Sequence, residues 1–149
     1  MNVYPICLLH SKVNAETDVL QLLQSRLSCG FPSPADDYTE ALPSLDELLI
    51  KHPSATFLGR GQGDSMIERG IINGSLLIID RAAIPEHDST IVASIGGELT
   101  VKILDLKHKL LRPANKQLLP IPLPEDLDII CEGVVTYCIT PQHNFGFKC

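Results

Sequence analysis

The stretch STIVASIGGELTVKIL, residues 89–104, decides the fold class. Two runs rich in β-branched residues, 89–95 and 98–104, flank Gly96-Gly97, a pair that favours a tight β-hairpin turn. Short strands joined by turn-rich links predict a mainly β fold, a compact antiparallel barrel- or sandwich-like domain. The other strand candidates in this part of the chain are TFLGR at 56–60, SLLIID at 75–80, HKLLRP at 108–113 and DIICEGVVTYCI at 128–139.

Upstream of these strands the sequence changes character. The segment TDVLQLLQSRL at 17–27 predicts a helix, for which Gly30 is a candidate C-cap. Its apolar helical face would consist of Val19, Leu20, Leu23 and Leu27. The segment FPSPADDYTEALP at 31–43 contains three prolines, which disfavour helix and predict an extended tether.

A second short helix is predicted in SLDELLIKHP at 44–53. Ser44 and Glu47 have the spacing of a capping box, and Pro53 lies just beyond the predicted end. The sequence therefore divides into an extended N-terminal arm, residues 1–45, and a β-rich domain, residues 46–149.

Composition narrows the classes of function. The chain has 149 residues and a formal net charge of −6, which argues against DNA binding because that usually needs a basic surface. The densest basic cluster, within residues 107–116, is interpreted as a solvated hairpin. The negative net charge indicates that the protein binds other proteins, or that its acidic residues keep it soluble, rather than that it binds a specific DNA sequence.

The cysteines predict neither a metal site nor a disulfide framework. Their number is five, and no CxxC pair occurs. We therefore expect no metal and no cofactor. No signal peptide or membrane-spanning run is evident, so the expectation is a cytoplasmic protein in a reducing compartment.

The stretch GRGQGDSMIERGI at 59–71 has two candidate functions. It could be a loop that binds phosphate, or a turn that presents Ser65 as a nucleophile. A P-loop needs a lysine before the Ser or Thr, and a dinucleotide fingerprint needs GxGxxG opening a long helix. Neither spacing occurs here. The hydrolase elbow GxSxG fails as well, because position 67 is Ile. These comparisons leave Ser65 as a candidate nucleophile without a recognised base.

A partner for Ser65 comes from elsewhere in the chain. None of the five histidines lies in a segment typical of a catalytic site, and Asp64 is interpreted as a turn or helix-start carboxylate. Lys102 lies in the middle of the apolar strand candidate 98–104. Composition alone favours an exposed lysine that protects a strand edge. If Lys102 is buried, its lowered pKa allows a neutral amine to take the serine proton.

Four stretches occur in order along the chain: CGFPSPADDY at 29–38, HPSAT at 52–56, GDSMI at 63–67 and LTVKIL at 99–104. Together they resemble the UmuD family of SOS mutagenesis proteins, which are similar to the self-cleaving domain of the LexA repressor. The separation of 37 positions between Ser65 and Lys102 matches the family too. The resemblance runs from about residue 29 to about residue 139.

The resemblance implies a self-cleaving serine protease of LexA type. Ser65 would be the nucleophile, Lys102 the general base, and Cys29–Gly30 the scissile bond. Cleavage would be stimulated by a RecA filament on single-stranded DNA, and the trimmed homodimer would join a UmuC-like Y-family subunit to form a translesion polymerase. We expect the oxyanion hole to use backbone N–H groups near the nucleophile, those of Asp64 and Ser65.

Three other hypotheses compete with this one. A LexA-like transcriptional repressor would need an N-terminal DNA-binding module, and the 28 residues before Cys29 are too few for three helices. A signal peptidase also uses Ser and Lys, but it would need a membrane segment. A non-cleaving interaction module, in which Lys102 is only structural, remains open.

Overall fold

In the computed structural model, the chain is described over residues 2–5, 20–23, 39–42, 44–123 and 129–142. It divides into two compact units, Met1–Leu9 with His52–Cys149, and His10–Lys51. The elements, in chain order, are β1 (Asn2–Pro5), β2 (Leu20–Leu23), β3 (Thr39–Leu42), α1 (Leu45–Leu49), β4 (Thr56–Gln62), β5 (Leu76–Asp80), β6 (Thr90–Ile95), β7 (Glu98–Asp105), β8 (Leu110–Arg112), β9 (Ile121–Pro122) and β10 (Ile129–Ile139).

The first unit is built on an eight-stranded antiparallel sheet that closes on itself. The strand order is β1-β4-β5-β10-β6-β7-β8-β9, and an additional pairing joins β1 to β7 at Asn2 and Thr100. Six strands thus form a closed ring, from which β8 and β9 extend. The predicted mainly β, barrel-like fold is confirmed. The ring also shows that Asn2–Pro5, part of the predicted arm, is a strand of this unit.

All six predicted strands of the β-rich domain are present, with ends that shift by at most two residues. The hairpin between β6 and β7 turns at Gly96 and Gly97, whose φ angles are 58° and 87°. Positive φ at both central positions matches the type I′ turn that favours glycine. The hairpin prediction from residues 89–104 is therefore confirmed.

Of the two predicted helices, the second is present over Leu45–Leu49 and the first is wrong. Ser44 Oγ accepts a hydrogen bond of 3.1 Å from the Glu47 N–H, so α1 begins with the predicted cap. Within the predicted helix 17–27, however, Leu20–Leu23 is a strand that pairs with Thr39–Leu42. A neighbouring strand supplies the backbone hydrogen bonds that a helix would make internally, so pairing overrides the local pattern.

The β6–β7 hairpin is buried on both faces. Val101 and Ile103 pack in one apolar cluster with Met66 and Leu77. Leu104 packs against a second cluster, which contains the buried Ile91, Ala93 and Leu111. This division follows the alternation of side chains along a strand. Lys102 lies between two buried residues of a strand with no solvent-facing side in this region.

Candidate active site

Ser65 lies in a tight turn immediately after β4. Gly63 has φ of 88°, a left-handed conformation that suits glycine, and its N–H donates to Asn73 Oδ1 at 3.3 Å. Ser65 is 6% exposed, and the adjacent Met66 side chain is fully buried in the core. A 3₁₀ turn over Ile67–Arg69 follows. The buried methionine thus anchors the turn and brings the serine to the wall of the barrel.

Lys102 lies near the middle of β7 and is 7% exposed. The expectation of an exposed edge lysine is therefore wrong. Strand β7 is not an edge, because it pairs with β6 along its length, with β8 at its end and with β1 at Thr100. The lysine is held in the barrel wall, where its ammonium group is removed from bulk water.

The structure brings together Lys102 and Ser65, which are 37 positions apart in sequence. Lys102 Nζ lies 3.5 Å from Ser65 Oγ, 2.8 Å from Thr100 Oγ1 and 2.9 Å from the Val101 carbonyl oxygen. Burial disfavours the charged form and holds the pKa of Lys102 below its ordinary value of 10.5.

This geometry suits a neutral amine. An uncharged lysine has two N–H donors and one lone pair. When the two donors go to Thr100 Oγ1 and the Val101 carbonyl, the lone pair is left to accept the proton of the Ser65 hydroxyl. The Nζ–Oγ distance of 3.5 Å is long for a hydrogen bond, as is common for catalytic contacts before substrate binds.

Asp64 is exposed and lies outside the Ser65–Lys102 contact. Its carbonyl oxygen accepts hydrogen bonds of 3.2 Å from the Ile67 N–H and 3.2 Å from Asn115 Nδ2. The contribution of Asn115 was missed by the sequence analysis, because 51 positions separate it from Asp64 and no local motif marks it. Cys29 and Gly30, the predicted cleavage site, lie outside the described residues.

The histidines within the described ranges contact buried carboxylates. His52 Nδ1 lies 2.7 Å from Asp80 Oδ2, while His108 Nδ1 lies 3.0 Å from Asp105 Oδ2. Burial opposes the ionisation of Asp80, but the hydrogen bonds from His52 and from two backbone N–H groups outweigh it and lower its pKa. His87 Nδ1 is also near Asp105, at 3.6 Å. These pairs stabilise the barrel and give no sign of a Ser-His-Asp triad.

Within the described residues, no group of three or more His, Cys, Asp or Glu side chains is placed to hold a metal ion. No helix in the same part of the chain is long and apolar enough to cross a membrane.

Comparison with known proteins finds a peptidase family and relatives that span most of the chain. The family described as Peptidase S24-like matches residues 21–136. Protein ImpA of Salmonella typhimurium is 42% identical over 126 residues, which cover 81% of this chain and 83% of ImpA. Protein SamA of Salmonella typhimurium strain LT2 is 44% identical over 116 residues, covering 77% of this chain and 81% of SamA.

A more distant relative is LexA repressor 2 of Xanthomonas axonopodis pv. citri. It is 35% identical over 127 residues, which cover 83% of this chain and 58% of the repressor. The chain therefore belongs to the Peptidase S24-like family, as its resemblance to UmuD-like SOS mutagenesis proteins predicts.

Proposed function

We propose that this chain is a self-cleaving serine protease, with Ser65 as nucleophile and Lys102 as general base. The observation that carries the proposal is the contact between two buried side chains, Lys102 Nζ and Ser65 Oγ, at 3.5 Å. A buried lysine whose pKa is lowered can act as a base toward an adjacent serine hydroxyl and so activate the serine as a nucleophile. Membership of a peptidase family supports the same reading.

The substrate in this proposal is the chain's own Cys29–Gly30 bond. Ser65 Oγ attacks the Cys29 carbonyl carbon while Lys102 Nζ takes the hydroxyl proton. Lys102 then returns the proton to the Gly30 nitrogen, which leaves as a new N-terminus. Water hydrolyses the resulting ester and frees a carboxylate at Cys29. Because the bond is tethered to the site, the reaction is effectively unimolecular. This offsets the fact that the pair lacks the third residue of a catalytic triad.

The biological role we propose is that of an accessory subunit in SOS mutagenesis. The arm, residues 1–45, would precede the β-rich peptidase domain at 46–149 and be shortened to Gly30 when a RecA filament on single-stranded DNA stimulates cleavage. The product would act as a cytoplasmic homodimer with a UmuC-like Y-family polymerase subunit. The similarity to proteins ImpA and SamA supports a general role in SOS mutagenesis.

The test is incubation of the purified protein with and without activated RecA filament, followed by mass analysis of the fragments. We expect a fragment that starts at Gly30 from the wild type, more of it with the filament, and none from Ser65→Ala. Ser54→Ala, which removes an exposed serine hydroxyl, is the matched control and should cleave like the wild type.

Other outcomes would favour the competing functions. Intact wild-type protein under all conditions would support a non-cleaving interaction module. Tight binding of duplex DNA with a steep salt dependence would support a LexA-like repressor.

A further inference from the structure

The segment after β8 is bonded directly to the turn that carries Ser65. The Glu68 N–H donates to the Ala114 carbonyl at 2.9 Å, and the Lys116 N–H donates to Glu68 Oε1 at 3.2 Å. Between these two bonds, Asn115 Nδ2 donates to the Asp64 carbonyl at 3.2 Å. Three consecutive residues, 114–116, thus hold a turn that is about fifty positions away in sequence.

The Asp64 carbonyl is held from two directions. It accepts one hydrogen bond from the Ile67 N–H within the turn and one from Asn115 across it, both at 3.2 Å. A carbonyl oxygen has two lone pairs, and both are used here. The orientation of the Asp64–Ser65 peptide plane is therefore set jointly by the turn and by Asn115.

That orientation also sets the direction of the next N–H group. A peptide unit is planar and trans, so the Ser65 N–H points opposite to the Asp64 carbonyl. A side chain that fixes the carbonyl on one face of the turn fixes the N–H on the other. This N–H is one of the two groups expected to bind the oxyanion.

Asn115 is itself held in place before any substrate arrives. Its Oδ1 accepts a hydrogen bond of 3.0 Å from the Gln117 N–H. This Asx-type contact occupies the side-chain oxygen and leaves the amide nitrogen directed toward Asp64. The half-buried side chain therefore presents a donor, rather than an acceptor, to the Ser65 turn.

We propose that Asn115 is a positioning residue for self-cleavage. By holding the Asp64 carbonyl, it aims the Ser65 N–H at the oxygen that becomes negatively charged when Ser65 attacks the Cys29 carbonyl. Donors fixed in advance toward a developing charge are among the largest contributions to catalysis. Asn115 does not touch the reacting atoms and does not contact Lys102 in the described structure, so it acts separately from the base. This inference rests on the proposed self-cleavage.

The test measures the cleavage rate against pH for wild type, Ser65→Ala, Asn115→Asp and Asn115→Ala. Asn115→Asp keeps an acceptor for the Gln117 N–H but replaces the donor that faces Asp64 with an oxygen. Gln117→Glu, an exposed position two residues along, is the control for the added charge. For both Asn115 variants we expect the plateau rate to fall by about 10–100-fold. The pH of half-maximal rate should not move for Asn115→Ala, and for Asn115→Asp it should move no further than for Gln117→Glu, because the contacts of Lys102 are untouched.

Each result decides a different point. If both Asn115 variants cleave within about twofold of wild type, while Ser65→Ala is inactive, the positioning role is wrong and the proposed function stands. A rate loss accompanied by a shift of the pH midpoint in Asn115→Ala, or by a shift in Asn115→Asp larger than that of Gln117→Glu, would also overturn it, because the effect would then pass through Lys102. An inactive wild type, or an active Ser65→Ala, would remove the proposed function together with this inference. Should Asn115→Ala fail to fold, Asn115→Asp decides alone.

Discussion

Two buried ionisable residues lie three positions apart on β7 and have opposite surroundings. Lys102 is 7% exposed and Asp105 is 4% exposed. Around Asp105 the structure places cationic or potentially cationic side chains: Arg112 Nε and His108 Nδ1 each lie 3.0 Å from Oδ2. The hydrogen bond from His108 is the main reason that the pKa of Asp105 is lowered to about 2.

The surroundings of Lys102 are neutral by comparison. In the described part of the chain its recorded acceptors are two hydroxyl oxygens and one backbone carbonyl. Burial is the largest influence on this group and outweighs an interaction that acts in the opposite direction, so the pKa of Lys102 falls. The comparison teaches that the same strand stabilises a charge at Asp105 and disfavours a charge at Lys102, as the proposed general base requires.

The largest expected effect comes from removing the lysine amine. Lys102→Ala should slow self-cleavage by about 1000-fold or more, because the serine loses the group that takes its proton. Lys102→Arg should be as inactive as Lys102→Ala, because a guanidinium group stays charged and has no lone pair that can accept a proton. The measurement is the rate of fragment formation by mass spectrometry.

Lys107→Ala is the matched control for this prediction, because Lys107 is an exposed lysine just beyond the same strand. It should cleave like the wild type. If Lys102→Ala cleaves as fast as Lys107→Ala, Lys102 is not the general base. The functional difference proposed between Lys102 and Asp105 would then be wrong.

A smaller effect should follow Thr100→Val, which removes the hydroxyl 2.8 Å from Lys102 Nζ while keeping the shape of the side chain. The plateau rate should fall by about 5–10-fold, the equivalent of one hydrogen bond. The ammonium form, which needs three acceptors, loses more than the neutral amine, so the pH midpoint should move down. A rate–pH profile measures both, and an upward shift of the midpoint would contradict this account.

The smallest effect on cleavage is expected for Asp105→Asn, which should stay within about twofold of wild type at pH 8. Its effect should appear in stability. The lowered pKa means that the stabilising contribution of Asp105 is present above about pH 4 and is lost as the pH falls toward 2. The difference in Tm between wild type and variant should therefore be largest near pH 7 and shrink below pH 4.

Thermal unfolding across this pH range provides the measurement, with Glu98→Gln as the control because Glu98 is an exposed carboxylate at the start of the same strand. A Tm difference for Asp105→Asn that does not change between pH 7 and pH 3 would contradict the structural role assigned to this carboxylate.

The sequence predicted those features that depend on local patterns. The β6–β7 hairpin followed from Gly96-Gly97, and the start of α1 followed from the spacing of Ser44 and Glu47. The choice of Ser65 and Lys102 as partners needed the resemblance to a family, because their spacing alone has no general meaning. The structure adds the distance between them and the burial of both.

Features that depend on distant pairing were not predictable in this way. The burial of Lys102 depends on the neighbours of β7, including β1, which is almost a hundred positions away in sequence. The strand Leu20–Leu23 was predicted as helix because its leucines fit a helical face, whereas pairing with Thr39–Leu42 decides its structure. The bond between Asn115 and Asp64 arises only when the closed barrel brings the two segments together.

The most direct test of the central claim is the rate of self-cleavage as a function of pH, with Ser65→Ala in parallel. A buried lysine that acts as a neutral base predicts a rate that rises with pH through one ionisation and reaches a plateau. The midpoint should lie below the ordinary lysine value of 10.5, and Ser65→Ala should give no fragment. A rate that is independent of pH or falls as pH rises, or the same Gly30 fragment from Ser65→Ala, would contradict the account.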